Sequence, residues 1–126
     1  ILNFGHTFAH GFEGAKKFSN KLNHGEAVLL GMILASRFSY LKKMLPIKDL
    51  KLIEEHYSKL SLPNKISNIF KKKEINKIIY FMKKDKKNLN NKINLVLLHK
   101  IGKVAKNTLY KVSQNELKKF FLSNYI

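Results

Sequence analysis

Residues 27–35 read Ala-Val-Leu-Leu-Gly-Met-Ile-Leu-Ala, and on a helix this run is apolar on every side. Such a helix has no face for water and belongs at the centre of a bundle. The run falls well short of the roughly 20 apolar residues that cross a bilayer, so it reads as a buried segment, with no membrane partner. At 126 residues and 44% hydrophobic side chains, the chain can bury one modest core. Residues 1–126 are therefore read as a single domain.

The flanking segments supply the rest of the bundle. Residues 4–17 mix small and aromatic side chains without a proline, and Ser19-Asn20-Lys21-Leu22-Asn23 reads as a loop. Pro46 closes the segment after the central helix. Asp49 is placed to cap a third helix in which Leu50, Ile53, Tyr57 and Leu60 recur at helical spacing, and Pro63 ends it. Ile75, Ile78, Ile79 and Met82 fall at i, i+3, i+4 and i+7, the clearest amphipathic pattern in the chain. Residues 85–94 are polar and asparagine-rich, a turn or loop signal. The period then changes. Residues 93–98 are short enough for a strand, Gly102-Lys103 breaks it, and 107–112 supply a partner strand. Ser113-Gln114-Asn115-Glu116 has the form of a capping box, opening a last helix that buries Leu117, Phe120 and Phe121. The expected fold class is mainly α, with a small late β-hairpin.

A net charge of +17 invites a polyanion partner. The kind of base argues against one. Arg37 is the sole arginine, whereas bidentate recognition of phosphate and guanine favours arginine. Lysine, asparagine and isoleucine are abundant together and share A/T-rich codons, so base composition accounts for the charge. Lys71-Lys72-Lys73 and the lysines of 83–87 then read as solvated faces, with no specific nucleic-acid partner. The absence of cysteine excludes disulfides and thiolate metal sites, leaving His, Asp and Glu as ligands. It is compatible with a cytoplasmic setting.

Three of the five histidines lie in the first 24 residues. His6 and His10 are four apart and project from one face of a helix, while His24 starts the next helix in His24-Gly25-Glu26-Ala27. Imidazoles from adjacent helices suit a borderline metal that also takes oxygen ligands. The third ligand would be His10 or a residue outside the chain. By spacing alone, His24 is equally a packed imidazole near a helix start, and Glu26 an acid favouring the positive end of its helix.

Five blocks weigh in favour of the metal. They are Asn3-Phe4-Gly5-His6-Thr7-Phe8-Ala9-His10; His24-Gly25-Glu26-Ala27-Val28 with Gly31-Met32; Leu62-Pro63; Asp85-Lys86-Lys87; and Leu97-Leu98 with Ile101-Gly102. In this order and with these gaps the chain resembles the 3-dehydroquinate synthase family over most of its length. The resemblance implies the helical C-terminal domain of that fold, with the N-terminal NAD-binding domain absent from this chain. It implies a lyase of the shikimate pathway that serves aromatic amino-acid biosynthesis in the cytoplasm. That enzyme converts 3-deoxy-D-arabino-heptulosonate 7-phosphate to 3-dehydroquinate and phosphate. In such enzymes NAD transiently oxidises a ring alcohol, phosphate is eliminated, the carbonyl is reduced again, and an aldol step closes the carbocycle. Zinc or cobalt acts as a Lewis acid on the substrate hydroxyls.

By the same resemblance His6 and His24 are metal ligands, with a Glu N-terminal to the chain as the third. His10 contacts substrate and assists proton transfer, Asn3 is a substrate contact, and Lys86 meets the substrate carboxylate, with Lys87 as the substitute. The partners implied are a small sugar phosphate and, for the full-length protein, a second copy in a homodimer. Two departures stand out. Ala9 replaces a family glycine, adding a methyl where helices pack, and Gly11 should loosen the first helix. The opening Ile1-Leu2-Asn3, without an initiator Met, reads as the interior of a longer sequence. By the resemblance the Glu ligand, further catalytic lysines and the NAD-binding domain lie outside it, so this part alone is expected to be inactive. The rival readings are a related sugar-phosphate cyclase, a metal-dependent alcohol or glycerol dehydrogenase domain, and a basic binding module or inactive remnant.

Overall fold

The apolar run sits inside α2 (His24–Leu41), with Ala27, Leu30, Ile33, Leu34, Ala35 and Phe38 all buried. It is the central element of a computed structural model that describes residues 4–17, 22–84 and 92–123. Around it the chain runs α1 (His6–Ala15), α3 (Ile47–Ser58), two single-turn 3-10 helices (Ile66–Asn68 and Lys72–Glu74) and α4 (Ile75–Lys83). Then come β1 (Lys92–Ile101), β2 (Val104–Ser113) and α5 (Gln114–Ser123). The fold is mainly α with one hairpin, as the periodicities imply. Among the described residues no helix is long and apolar enough to cross a membrane.

An aromatic cluster joins the first and last helices. Phe8 and Phe12 of α1 lie 5.8 and 6.4 Å, centroid to centroid, from Phe121 of α5, and Phe38 of α2 packs edge-on against Phe120 at 4.9 Å. Each such ring, removed from water, contributes roughly 1.5–3 kcal/mol. The α4 stripe of Ile75, Ile78, Ile79 and Met82 is buried as its spacing predicts.

The strands pair antiparallel from Lys92↔Ser113 to Ile101↔Val104, so the hairpin is longer at both ends than its apolar stretches suggest. Gly102, at φ +61, supplies the left-handed backbone the tight turn needs. Ile93, Leu95 and Leu97 alternate inward onto the core. The buried Ser39 hydroxyl ties β1 to α2: it donates to the Ala35 carbonyl at 2.7 Å and accepts from the Leu98 N–H at 2.9 Å. Arg37 does the same for α3. Its guanidinium donates to both carboxylate oxygens of Glu54 at 2.8 and 2.7 Å and to the Asn64 carbonyl at 2.7 Å, so the sole arginine is spent inside the domain. The Tyr57 hydroxyl donates to the Pro63 carbonyl at 2.9 Å, and burial pushes its pKa up to about 12.

Two local expectations are corrected. Asp49 is not a cap: Pro46 is the N-cap residue of α3, and the Asp49 carboxylate lies 3.0 Å from the Lys100 ammonium on β1. Leu60 lies beyond the end of α3 and is exposed. The helix α1 runs through Gly11 without a break, and the residue is a packing position. A methyl there would stand 2.5 Å from the Met82 side chain and 2.8 Å from the Ile78 carbonyl oxygen, so the missing side chain is what lets α4 dock.

Candidate functional site: the α1–α2 histidine face

The site begins with a backbone contact. Gly5, at φ +78, turns the chain into α1, and its carbonyl accepts the helix's first hydrogen bond from the Ala9 N–H at 2.9 Å. A methyl on Gly31 of α2 would stand 2.3 Å from that carbonyl oxygen, and one on Gly5 would stand 2.7 Å from the Met32 nitrogen. The two glycines are thus close-approach positions, and Gly5 also needs a backbone conformation that L side chains rarely adopt. Together they seat the start of α1, where His6 stands, directly on α2. Ala9 is buried beside the same contact, its nitrogen 3.1 Å from a methyl on Gly31. The methyl at position 9 is accommodated.

The entry to α2 is held by a reciprocal cap. The Asn23 side chain accepts from the Glu26 N–H at 2.8 Å, and a Glu26 carboxylate oxygen accepts from the Asn23 N–H at 3.0 Å. Glu26 is therefore a capping residue, and the backbone of His24 is fixed between the two partners. Its ring is 76% exposed and reaches across to α1, where Nδ1 lies 2.9 Å from a carboxylate oxygen of Glu13. Glu13 follows His6 by seven residues and His10 by three, so all three share one side of α1. His6 and His10 are exposed there.

The structure thus places His6, His10 and Glu13 along one open side of α1 and brings the ring of His24 to Glu13. Among the described residues no three His, Asp or Glu side chains come together as a metal-binding group, so His10 does not complete a triad with His6 and His24. Asn3, Lys86 and Lys87 lie outside the described residues. Glu13 is the residue that sequence reasoning missed; its i+3 spacing from His10 was the available signal.

A separate apolar groove lies away from these histidines. Of about 610 Å³, it runs between α2 and α3, lined by Phe4, Met32, Leu52, Tyr57 and Leu60 among others. It adjoins the Gly5–Gly31 contact through Phe4 and Met32 but holds none of the three site histidines.

Residues 1–88 match the family model described as 3-dehydroquinate synthase C-terminal. The chain belongs to the 3-dehydroquinate synthase family. It is 53% identical over 92% of its length to a 3-dehydroquinate synthase of Pelagibacter ubique, and 38% identical over 83% to one of a Bradyrhizobium species. It spans only 30% and 29% of those two relatives. The fold matches a solved 2-deoxy-scyllo-inosose synthase at a TM-score of 0.69 and 20% identity, covering 97% of this chain and 31% of that one. Another structure of a 2-deoxy-scyllo-inosose synthase, in complex with carbaglucose-6-phosphate, NAD+ and Co2+, matches at 0.68 and 23% identity, covering 97% of this chain and 33% of that one. Within the 3-dehydroquinate synthase family, the Gly5, His6, His24 and Gly31 blocks thus acquire a structural reason: two glycines seat α1 on α2, and each helix begins with a histidine.

Proposed function

We propose that the chain is the metal- and substrate-binding part of a 3-dehydroquinate synthase, acting on 3-deoxy-D-arabino-heptulosonate 7-phosphate. The observation that carries the reading is the reach of His24 from the first turn of α2 to Glu13, which brings its imidazole to the side of α1 that bears His6 and His10. The donor set fits a borderline divalent ion: two exposed imidazoles, one with Nδ1 already engaged, to be completed by an oxygen ligand from another part of the protein. Zinc or cobalt held there supplies Lewis acidity toward substrate hydroxyls.

The chain's own contribution is positional. The Gly5–Gly31 contact fixes where His6 stands, and the Asn23–Glu26 cap fixes the root of His24. His10, one turn after His6, is assigned to hold or pass a proton at a ring nitrogen. Asn3 and Lys86 are proposed as contacts to substrate hydroxyl and carboxylate. No Gly-rich dinucleotide loop occurs in the sequence, so NAD is assigned to the rest of a full-length protein, proposed to be cytoplasmic and homodimeric.

The test is an assay of the full-length protein with NAD and either zinc or cobalt. Release of phosphate together with 3-dehydroquinate is the expected result. Turnover of a glucose-6-phosphate-type substrate instead would replace this reading with that of the related cyclases, whose fold the chain shares.

A further inference from the structure

We propose that Glu13 is a positioning residue for the metal site, fixing the tautomer and the ring orientation of His24; this rests on the reading of His24 as a ligand. A carboxylate can only accept a hydrogen bond, so at 2.9 Å from Glu13 the Nδ1 atom of His24 is the one that carries the proton. The lone pair is then on Nε2, the atom on the far side of the ring from Glu13. A neutral imidazole that donates one ring N–H to a carboxylate and offers the other nitrogen to a metal is the general pattern by which such ligands are oriented.

Packing does not do this work here. The His24 side chain is 76% exposed, so no core holds its ring. The Asn23–Glu26 cap fixes its backbone but not its χ angles. Glu13 is the polar partner the ring has among the described residues. A solvent-exposed contact of this kind adds little to folding stability, which separates the proposal from a structural role: loss of Glu13 should leave the fold intact and change only the histidine.

The experiment uses the full-length protein with Glu13→Ala, Glu13→Gln and His24→Ala, measuring zinc affinity by chelator competition and the His24 tautomer by ¹⁵N NMR of the metal-free protein. In the parent, Nδ1 carries the proton. Glu13→Ala is expected to weaken zinc binding about 10-fold or more and to move the proton toward Nε2. Glu13→Gln, which keeps an acceptor oxygen without the charge, should fall between Glu13→Ala and the parent. If His24→Ala removes zinc binding while Glu13→Ala leaves affinity within about twofold and the tautomer unchanged, the positioning role is overturned and the ligand reading stands. If His24→Ala itself leaves zinc binding intact, the ligand reading falls and the positioning role falls with it.

Discussion

On its buried sides, α1 meets α2 and α4 through glycines whose missing side chains leave room for neighbouring atoms, the nearest 2.3 to 2.7 Å from where a methyl would stand. On its open side the same helix carries His6, His10 and Glu13, with space around them and a single ring reaching over from α2. The contrast separates two kinds of constraint within ten residues. The glycine sides decide where the helix lies, and substitution there costs the fold. The histidine side decides what the helix can bind, and substitution there should cost chemistry while leaving the fold intact.

The largest effect should come from crowding the closest contact. Gly31→Ala drives a methyl into the Gly5 carbonyl, which is backbone and cannot swing aside. We expect a loss of about 3 kcal/mol, read as a lowered denaturant midpoint. A smaller effect concerns the contact of α1 with the 3-10 turn before α4, where the Lys16 ammonium lies 3.2 and 3.1 Å from the two carboxylate oxygens of Glu74. Burial alone would raise the Glu74 pKa, but the Lys71 N–H at 2.8 Å and the Lys16 ammonium together outweigh it, and the value lies below the ordinary 4.5. A carboxylate whose pKa is depressed on folding adds stability that is present above its unfolded pKa and is lost as pH falls through the folded one. The difference in Tm between the parent and Glu74→Gln should therefore be largest above pH 4.5 and shrink on acidification. Least of all should Gly25→Ala disturb the protein. A methyl there meets only the Asn23 side chain, at an ordinary 3.5 Å, on the open face of the first turn of α2. It should raise stability by about 0.5 kcal/mol, sharpening the comparison by showing that not every glycine of the histidine blocks is a packing glycine.

How much of this was legible in the sequence depended on whether the cause was local. The all-apolar run of α2, the α4 stripe and the alternation of Ile93, Leu95 and Leu97 are periodic, and periodicity is what burial imposes on a sequence. The Ser113 hydroxyl does accept from the Glu116 N–H at 3.1 Å, because a cap is a contact across three residues. Asp49 misled because Pro46 had already set the start of α3, and a lysine 51 residues away claims the carboxylate. The packing role of Gly11 was hidden because its neighbour, Met82, is remote in sequence. The shared side of α1 that carries His6 and His10 was legible from their spacing. The contact of Glu13 with His24 was not, since it depends on which residue of α2 the helix crossing brings to it.

The central claim is that the open side of α1 and the first residue of α2 together hold a metal. It is tested most directly by measuring bound zinc or cobalt in the full-length protein and in the paired His6→Ala, His24→Ala variant, with circular dichroism to confirm that the variant is folded. We predict a stoichiometric ion in the parent and its loss, with the helices intact, in the variant. A folded variant that keeps its metal would contradict the assignment.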